Sequence, residues 1–452
     1  GTTAAIHSSG ATVTDAANFF AWNAAASGDI VTAPGLWSLD NFGNKLIATI
    51  SGGETFEWDS DPITANSTRA TLLPNAPTSS AFSLVSTPDR HLIFFGTETT
   101  IGTKSTKDEM FIRFSDQENI DSTTSYAPSA VNTAGTQRLA DGSKIVGAIR
   151  GRDAIYVWTD TALFIMRFVG APFTFSFQQV GTNCGLIGKN AAVEVDGSAY
   201  WMSENGFFRY TGKLESLPCL VEDHVYDDIN TIPKQHINVG LNNLFGEVMW
   251  FYPNSGSGTV NRMVAYNYLD STPQRPVWTT GTLARSAWQD SAVFGQPHAT
   301  EYNASSTTAA TSKDHVIGCT DGTSTYFEHE KGLDQIKEGA TSAITANIES
   351  GDFDIGAQGL QGDGEFMMKI RRVLPDFLSQ TGDAIVTLNL KDFPNDTAAS
   401  SSLGPFTITS GTQKIDTRAR SRSIALKVSN SSTSQFWKLG TFRLDIQPDG
   451  RR

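Results

Sequence analysis

The sequence has few cysteines and no long apolar run. Its 452 residues include 3 cysteines, Cys184, Cys219 and Cys319, which lie far apart and form no CxxC pair. This spacing argues against a disulfide framework or a structural zinc site, and buried free thiols are expected instead. No stretch of about 18 apolar residues occurs, which argues against a membrane-spanning helix.

Positive charge is also scarce, because 34 Lys and Arg stand against 47 Asp and Glu, a net charge of −13. An acidic chain is a poor candidate for tight DNA binding, since contacts with phosphates require Lys and Arg. The charge is unevenly distributed: residues 362–452 carry 13 basic and 9 acidic residues, or +4, which leaves 21 and 38, or −17, for the rest. Such asymmetry is typical of a second domain or an assembly surface, although an accident of composition would explain it equally well.

Short hairpin patterns recur along most of the chain. In one of them, two apolar runs at 199–202 and 207–210 flank Asn205-Gly206, which is a strong hairpin signal. Related units repeat at the spacing of propeller blades, about 40–50 residues. The sequence therefore predicts an all-β fold with a β-propeller of about six blades over 36–336. The aromatic residues that recur in these units are predicted to be packing wedges between blades: Trp58, Phe114, Trp158, Trp201 and Trp250.

The pattern changes around residue 337. Longer alternating segments follow, and they predict an antiparallel β-sandwich-like domain of about seven strands over 337–452. Residues 1–35 are predicted to form an N-terminal arm or a closing strand. Helical patterns are sparse, with candidates only at 221–230 and 332–340.

No catalytic motif is complete. His329-Glu330 begins an HExxH motif that fails at Leu333, and the segment CGLIGKN (184–190) lacks the first Gly and the Ser or Thr of a P-loop. Propellers can host glycosidases, which need paired carboxylates, but no pair can be selected from the sequence. The candidate acids are better explained as turn residues: Asp59, Asp61, Asp116, Asp160 and Glu204. No cofactor, metal or enzymatic activity is predicted.

Arginines are concentrated near the end of the chain. In DTRARSRS (416–423) they alternate with other residues, so a strand would place Arg418, Arg420 and Arg422 on one face. Together with Arg371 and Arg372 they are candidates for a subunit interface or a DNA-proximal surface. A solvated strand face remains an equally good interpretation.

One long run of sequence resembles a known family. The segments SLDNFGNKLIATISGGETFEWDSDP, DRHLIFFGTE, MFIRFSDQEN, VGTNCGLIGKNAAVEVDGSAYWMSENGFFRYTG and NVGLNNLFGEVMWFYP, with the closing GTFRLDIQPDGRR, carry the resemblance. They resemble the nozzle, or tail tubular protein B-like, subunits of short-tailed bacteriophages. The match covers most of 36–290 and the extreme C-terminus and is weaker over 300–440.

The resemblance implies a structural virion protein with a β-propeller and added β domains. Such subunits form a ring, typically a hexamer, below the portal and its adaptor, among other tail proteins. The ring conducts the duplex genome at ejection and helps to retain it beforehand. The resemblance also implies synthesis in the bacterial host cytoplasm, location in the virion tail, and residues preceding Gly1. The alternative is a propeller that binds or hydrolyses carbohydrate at the host surface.

Overall fold

The computed structural model describes most of the chain, and the account below concerns these residues: 36–59, 70–87, 89–291, 295–303, 316–319, 322–337, 340–356, 359–360, 365–393, 399 and 401–450. They are nearly all in β-strands and loops, with one short α-helix, α1 (Glu222–Asp228), and two 3₁₀ turns, Lys104–Thr106 and Lys234–His236. Among them, no helix has the length and apolar character needed to cross a membrane. The chain divides into two compact units, here called unit 1 (to His329) and unit 2 (from Glu330).

The described residues of unit 1 form six four-stranded antiparallel sheets, numbered here in chain order. Sheet 1 contains β1 (Trp37–Phe42), β2 (Lys45–Ile50), β3 (Thr55–Asp59) and β4 (Thr71–Leu72). Sheet 2 contains β5 (Ser80–Val85), β6 (Leu92–Thr97), β7 (Phe111–Phe114) and β8 (Gly135–Arg138). Sheet 3 contains β9 (Ile145–Arg150), β10 (Ile155–Thr159), β11 (Ala162–Gly170) and β12 (Thr174–Thr182). Sheet 4 contains β13 (Ala192–Val195), β14 (Ser198–Ser203), β15 (Gly206–Tyr210) and β16 (Leu214–Ser216). Sheet 5 contains β17 (Asn238–Asn242), β18 (Glu247–Tyr252), β19 (Arg262–Asn267) and β20 (Trp278–Gly281). Sheet 6 contains β21 (Ala287–Gln289), β22 (His298–Asn303), β23 (Val316–Cys319) and β24 (Gly322–Glu328).

Successive strands pair with each other in sheets 1 to 5, so each of these sheets is a local meander. Sheet 6 departs from this order, because β24 lies between β22 and β23. The first strand of each sheet packs beside the first strand of the next one, from β1 through β5, β9, β13 and β17 to β21. Neighbouring sheets therefore meet along their first strands.

The hairpin of β14 and β15 lies where the sequence predicts it, but its turn differs by one residue. Ser203 pairs with Gly206, so Glu204 and Asn205 form the two-residue turn. Asn205 and Gly206 are therefore not the two central residues that an Asn-Gly hairpin turn would have. Gly206 has a φ of 130°, a conformation that L side chains rarely adopt, which explains the glycine at this position.

Large aromatic residues fill the spaces between sheets of unit 1. Trp158, Trp201 and Trp250 are all fully buried, and the rings of Trp158 and Trp201 are 5.3 Å apart. The Trp201 indole donates a hydrogen bond to Cys184 O (2.8 Å), and that of Trp250 donates to Ala191 O (3.0 Å), which precedes sheet 4. Phe114 is also buried, whereas Trp58 is half-buried. Four of the five recurring aromatics are thus core residues.

Unit 2 is built from longer strands and smaller sheets, and its described strands are β25 (Asp334–Lys337), β26 (Ala340–Ala343), β27 (Ala346–Glu349), β28 (Ile355–Gly356), β29 (Gly359–Leu360), β30 (Met368–Leu374), β31 (Phe377–Thr381), β32 (Ala384–Lys391), β33 (Ser401–Ile408), β34 (Ile415–Ser421), β35 (Ser423–Asn430), β36 (Phe436–Leu439) and β37 (Arg443–Pro448). The two main sheets have the orders β27-β35-β32-β33 and β34-β30-β37. Alternate residues of both sheets, such as Ile370, Val386, Leu388 and Ile424, share one aliphatic core. This alternation is the pattern that the sequence shows after residue 337.

Of the two candidate segments for a short helix, one is helical. The pattern at 221–230 becomes α1, which buries Val225. The prediction at 332–340 is wrong, because β25 pairs with β26, with Ile336 opposite Thr341. So short a stretch is marginal as a helix, and strand pairing satisfies its backbone instead. The N-terminal prediction for 1–35 lies outside the described residues.

Candidate functional site

The arginines selected from the sequence lie mainly on one face of the sheet β34-β30-β37. The opposite face packs Met368, Ile370 and Ala419 into the core of unit 2. The outward-facing basic residues, here called the basic face, are Lys369, Arg371, Arg372, Arg418, Arg420 and Arg443. Asp416, Asp445 and Asp449 lie among them. Six positive and three negative side chains leave this face with a net positive charge.

Ion pairs hold part of the basic face in place. Arg372 Nε lies 2.9 Å from Asp416 Oδ1, and Arg420 Nε lies 2.6 Å from Asp449 Oδ2. The hydrogen bond from Arg420 lowers the pKa of Asp449, and the charges of Lys369 and Arg371 add to the effect. Arg371 is exposed at a bulge in β30, where the pairing with both neighbouring strands shifts. The bulge places Arg371 and Arg372 side by side on the surface.

The predicted alternation holds for Arg418 and Arg420, which are both exposed on β34. Arg422 does not continue it, because β34 ends at Ser421. Arg422 lies in the bend before β35, which belongs to the other main sheet of unit 2. The chain crosses between sheets at this point, so the strand cannot carry a third arginine on the same face.

A second candidate site is a cavity of about 440 Å³ in unit 1, here called the central cavity. The first strands of all six sheets contribute to its wall, which includes Trp37 of β1, Phe82 of β5, Ile149 of β9, Val193 of β13, Asn238 of β17 and Trp288 of β21. Because these strands come from six separate segments of the sequence, the cavity gathers residues about 250 positions apart. No local motif could have indicated it.

Lys189 is the most unusual residue of the central cavity. It belongs to the segment 184–190 that connects sheets 3 and 4 and that partly matches a P-loop. Leu186 and Ile187 of this segment are buried, and Gly185 packs against the backbone of Asp160 so closely that a Cβ would not fit. The segment is therefore a buried connector between sheets. It ends by presenting Lys189 to the cavity.

The Lys189 ammonium is held by neutral groups. Its Nζ donates to Ser38 Oγ (2.6 Å) and to Trp37 O (3.3 Å), and it lies 5.5 Å from the centre of the Phe82 ring. No carboxylate bonds to it among the described residues. Burial lowers the pKa of Lys189 to about 8, because water no longer stabilises the charged ammonium fully.

Asp40 and Arg150 form the other charged group of the cavity wall. Arg150 Nη2 lies 3.1 Å from Asp40 Oδ1, and the backbone N–H of Val85 donates to Asp40 Oδ2 at 2.8 Å. These contacts join β1, β5 and β9. Asp40 is the only carboxylate among the described residues of this wall, and it is neutralised by Arg150.

Three of the carboxylates considered for glycoside hydrolysis lie in turns or loops next to three different sheets: Asp116, Asp160 and Glu204. Asp116 accepts hydrogen bonds from Thr133, Asp160 accepts them from Ser143, and Glu204 pairs with Lys234. Burial alone would raise the pKa of Asp160, but the hydrogen bonds from Ser143 and Lys144 outweigh it and lower the pKa. Asp59 ends β3, and Asp61 lies outside the described residues. The positions of Asp116, Asp160 and Glu204 agree with a structural role.

A buried histidine network also holds loops of sheet 2. His91 is fully buried, with Nδ1 2.6 Å from Asp89 Oδ2 and Nε2 3.2 Å from Thr133 Oγ1. Thr133 Oγ1 donates to Asp116 Oδ1 (2.8 Å) and accepts from Gln117 N (2.8 Å). The network joins the segment before β6 to the loop after β7.

The described residues contain no cluster of His, Cys, Asp and Glu that could hold a metal ion. His329 Nε2 accepts a hydrogen bond from Arg285 Nε (2.8 Å), and burial lowers its pKa to about 4. The lone pair of His329 Nε2 is thus already engaged in this hydrogen bond. Cys184 and Cys219 are free thiols, and burial raises the pKa of each to about 11.

Comparisons with known proteins assign no family. No protein-family model matches the chain, and no curated protein does. Among solved structures, the computationally designed protein Ika8 is 11% identical, covering 64% of this chain and 70% of that chain, with a TM-score of 0.33. BamB from Moraxella catarrhalis is 12% identical, covering 66% and 84%, with a TM-score of 0.32. An exo-β-1,3-galactanase from Phanerochaete chrysosporium is 8% identical, covering 90% and 95%, with a TM-score of 0.28.

Proposed function

We propose that this chain is a structural, non-enzymatic subunit of the tail nozzle of a short-tailed bacteriophage. In this proposal six copies form a closed ring. The ring conducts the packaged duplex DNA at ejection and helps to retain it beforehand. The basic face on an otherwise acidic chain is the observation that carries the proposal. The sequence resemblance gives the proposal its specific form.

The architecture that we propose is a six-bladed β-propeller followed by a β-sandwich-like domain. Six successive four-stranded sheets with adjacent first strands support the propeller, and so does the cavity wall to which all six contribute. Two main sheets that share one aliphatic core support the sandwich. Both arrangements offer rigid surfaces for contacts between copies.

The distribution of charge supports ring formation. A basic face on one copy complements the acidic remainder of the next, and a contact between two different surfaces can repeat until a ring closes. The same acidic excess suits a channel for DNA, because many contacts with phosphates would slow its passage. We place the portal adaptor and other tail proteins as partners, and the virion tail as the location.

The first test is the mass and symmetry of the purified protein, measured by mass photometry and negative-stain class averages. We expect closed rings, with six copies, that bind to particles lacking this protein and restore retention of their genome. A stable monomer that neither assembles nor binds to such particles would contradict the proposal.

The second test addresses the basic face. The variant Arg371→Gln/Arg418→Gln/Arg420→Gln changes three exposed residues of this face. It should lose ring formation while its thermal unfolding changes little, because exposed ion pairs contribute only about 0–1 kcal/mol each. The matched control neutralises three exposed basic residues of unit 1, Arg152, Lys213 and Arg275. Equal incorporation of both variants into particles would remove the basic face from the assembly model.

A further inference from the structure

We propose that the central cavity binds a small organic carboxylate that carries hydroxyl groups, with the Lys189 ammonium as its charged partner. The residues of this site belong to the first strands of unit 1 and to the connector before β13. It has the chemistry to recognise an acidic monosaccharide.

The charges of the cavity wall leave Lys189 without a counter-ion. Three of the described residues that line it are charged: Asp40, Arg150 and Lys189. Asp40 and Arg150 neutralise each other through their 3.1 Å contact. Burying an ammonium without an anion is costly, so a bound carboxylate would supply the missing charge.

Asn238 supplies the second part of the argument. It is 6% exposed, and its Nδ2 donates to Arg285 O at 3.0 Å, which fixes the orientation of the amide. Its Oδ1 is buried and has no hydrogen-bond partner among the described residues. A buried acceptor without a donor is unfavourable. The oxygen has almost no accessible surface, so a ligand hydroxyl would reach it through a small shift of the Asn238 side chain, and the new hydrogen bond would be stabilising. An anion alone would not satisfy this oxygen.

The size and wall of the cavity suit a single sugar. Its volume of about 440 Å³ lies within the range of about 300–1,000 Å³ that is typical of small-molecule sites. Trp37, Phe82 and Trp288 contribute aromatic surface, and Ser38 and Asn190 contribute polar groups. A mixture of apolar wall and a few polar groups is the usual composition of such sites.

The probes are three six-membered rings that separate the two chemical features. D-glucuronate has both the carboxylate and the hydroxyls, D-glucose has the hydroxyls alone, and cyclohexanecarboxylate has the carboxylate alone. By calorimetry at pH 7, glucuronate should bind at least tenfold more tightly than either of the other two. Equal binding of glucuronate and cyclohexanecarboxylate would overturn the assignment of a hydroxylated ligand.

Lys189→Met removes the charge and keeps the length of the side chain, and it should weaken glucuronate binding at least tenfold. The matched control is Lys213→Met, which alters an exposed lysine of the same unit and should leave binding unchanged. Wild-type binding should also weaken from pH 7 to pH 9.5, because Lys189, with its pKa of about 8, loses its proton over this range.

Chemical labelling tests the same contact in the unaltered protein, in case the Lys189 variant does not fold. Glucuronate should slow the acetylation of Lys189 at pH 7.5, measured by peptide mass spectrometry, and leave that of Lys213 unchanged. Glucose should protect neither residue. If glucuronate leaves the labelling of Lys189 unchanged and binds no better than glucose, the proposed site is overturned.

Discussion

The two units of this chain stabilise their cores with different side chains. The largest fully buried residues of unit 1 are aromatic, led by Trp158, Trp201 and Trp250. The buried core of unit 2 contains only aliphatic residues and methionine among its described members, such as Met368, Ile370 and Leu388. In unit 1, rings such as those of Trp158 and Trp201 pack between neighbouring sheets, whereas the two main sheets of unit 2 share buried aliphatic side chains. The two cores thus differ in the size and shape of their buried side chains.

The largest expected effect is that of Trp201→Ala. It removes a fully buried indole, its contact with Trp158 and its hydrogen bond to Cys184 O. The free energy of unfolding of unit 1 should fall by about 3–5 kcal/mol. Hydrogen exchange should show lost protection in residues 36–329 and unchanged protection in 340–450. Equal loss in both regions would mean that the two cores are not separate.

Leu388→Ala is the corresponding change in unit 2, where the side chain is fully buried between the two main sheets. We expect a loss of about 2–5 kcal/mol, with the reverse pattern of hydrogen exchange. Leu378→Ala is the control, since that side chain is 69% exposed. A comparable loss in the control would show that burial does not determine the effect.

Thr133→Val tests a polar contribution to unit 1, the hydroxyl that His91, Asp116 and Gln117 share. The substitution keeps the shape but leaves His91 Nε2, Asp116 Oδ1 and Gln117 N without their shared hydroxyl. Unit 1 should lose about 1–3 kcal/mol by chemical denaturation. Thr136→Val, at an exposed position of β8, should be nearly neutral. An equally neutral Thr133→Val would show that water replaces the hydroxyl.

The smallest expected effect concerns Asp160, whose pKa is lowered in the folded protein although burial opposes the shift. A carboxylate of this kind adds stability above its unfolded pKa, and this stability is lost as the pH falls through the folded pKa. Asp160→Asn should therefore cost about 1 kcal/mol or less at pH 7, and this cost should shrink as the pH falls below the usual carboxyl pKa of 3.8. Denaturation across this range measures it, and a constant difference would exclude linkage to Asp160.

The sequence predicts local features of the fold well. The hairpin at 198–210, helix α1 and the buried aromatics all depend on residues close together in the chain, where periodicity and turn residues are informative. The two turn residues of that hairpin, Glu204 and Asn205, lie one position before the Asn-Gly pair that the sequence indicates. Gly206 is the residue with a positive φ. The pattern of 332–340 weakly favours a helix, because the pairing of β25 with β26 is not visible in the local sequence.

The candidate sites show where such prediction ends. Arg418 and Arg420 were found because they alternate within one strand, but the crossing at Arg422 depends on which sheet receives the next strand. Lys189 and Ser38 are 151 residues apart, so neither carries a local signal of the other. The missing hydrogen-bond donor to Asn238 Oδ1 likewise results from packing and has no signal in the local sequence.

The order of the strands has a consequence for how the chain folds during synthesis. Sheets 1 to 5 close with partners that emerge shortly after one another, so their contacts are local and favour rapid folding. The main sheet of unit 2 pairs Ala346 with Asn430, so it must wait for most of its unit to be translated. Because translation proceeds from the N-terminus, unit 1 can fold while the chain is still attached to the ribosome, before unit 2 begins to fold. A nascent chain stalled after residue 400 should already protect sheets 1 to 5 from proteolysis.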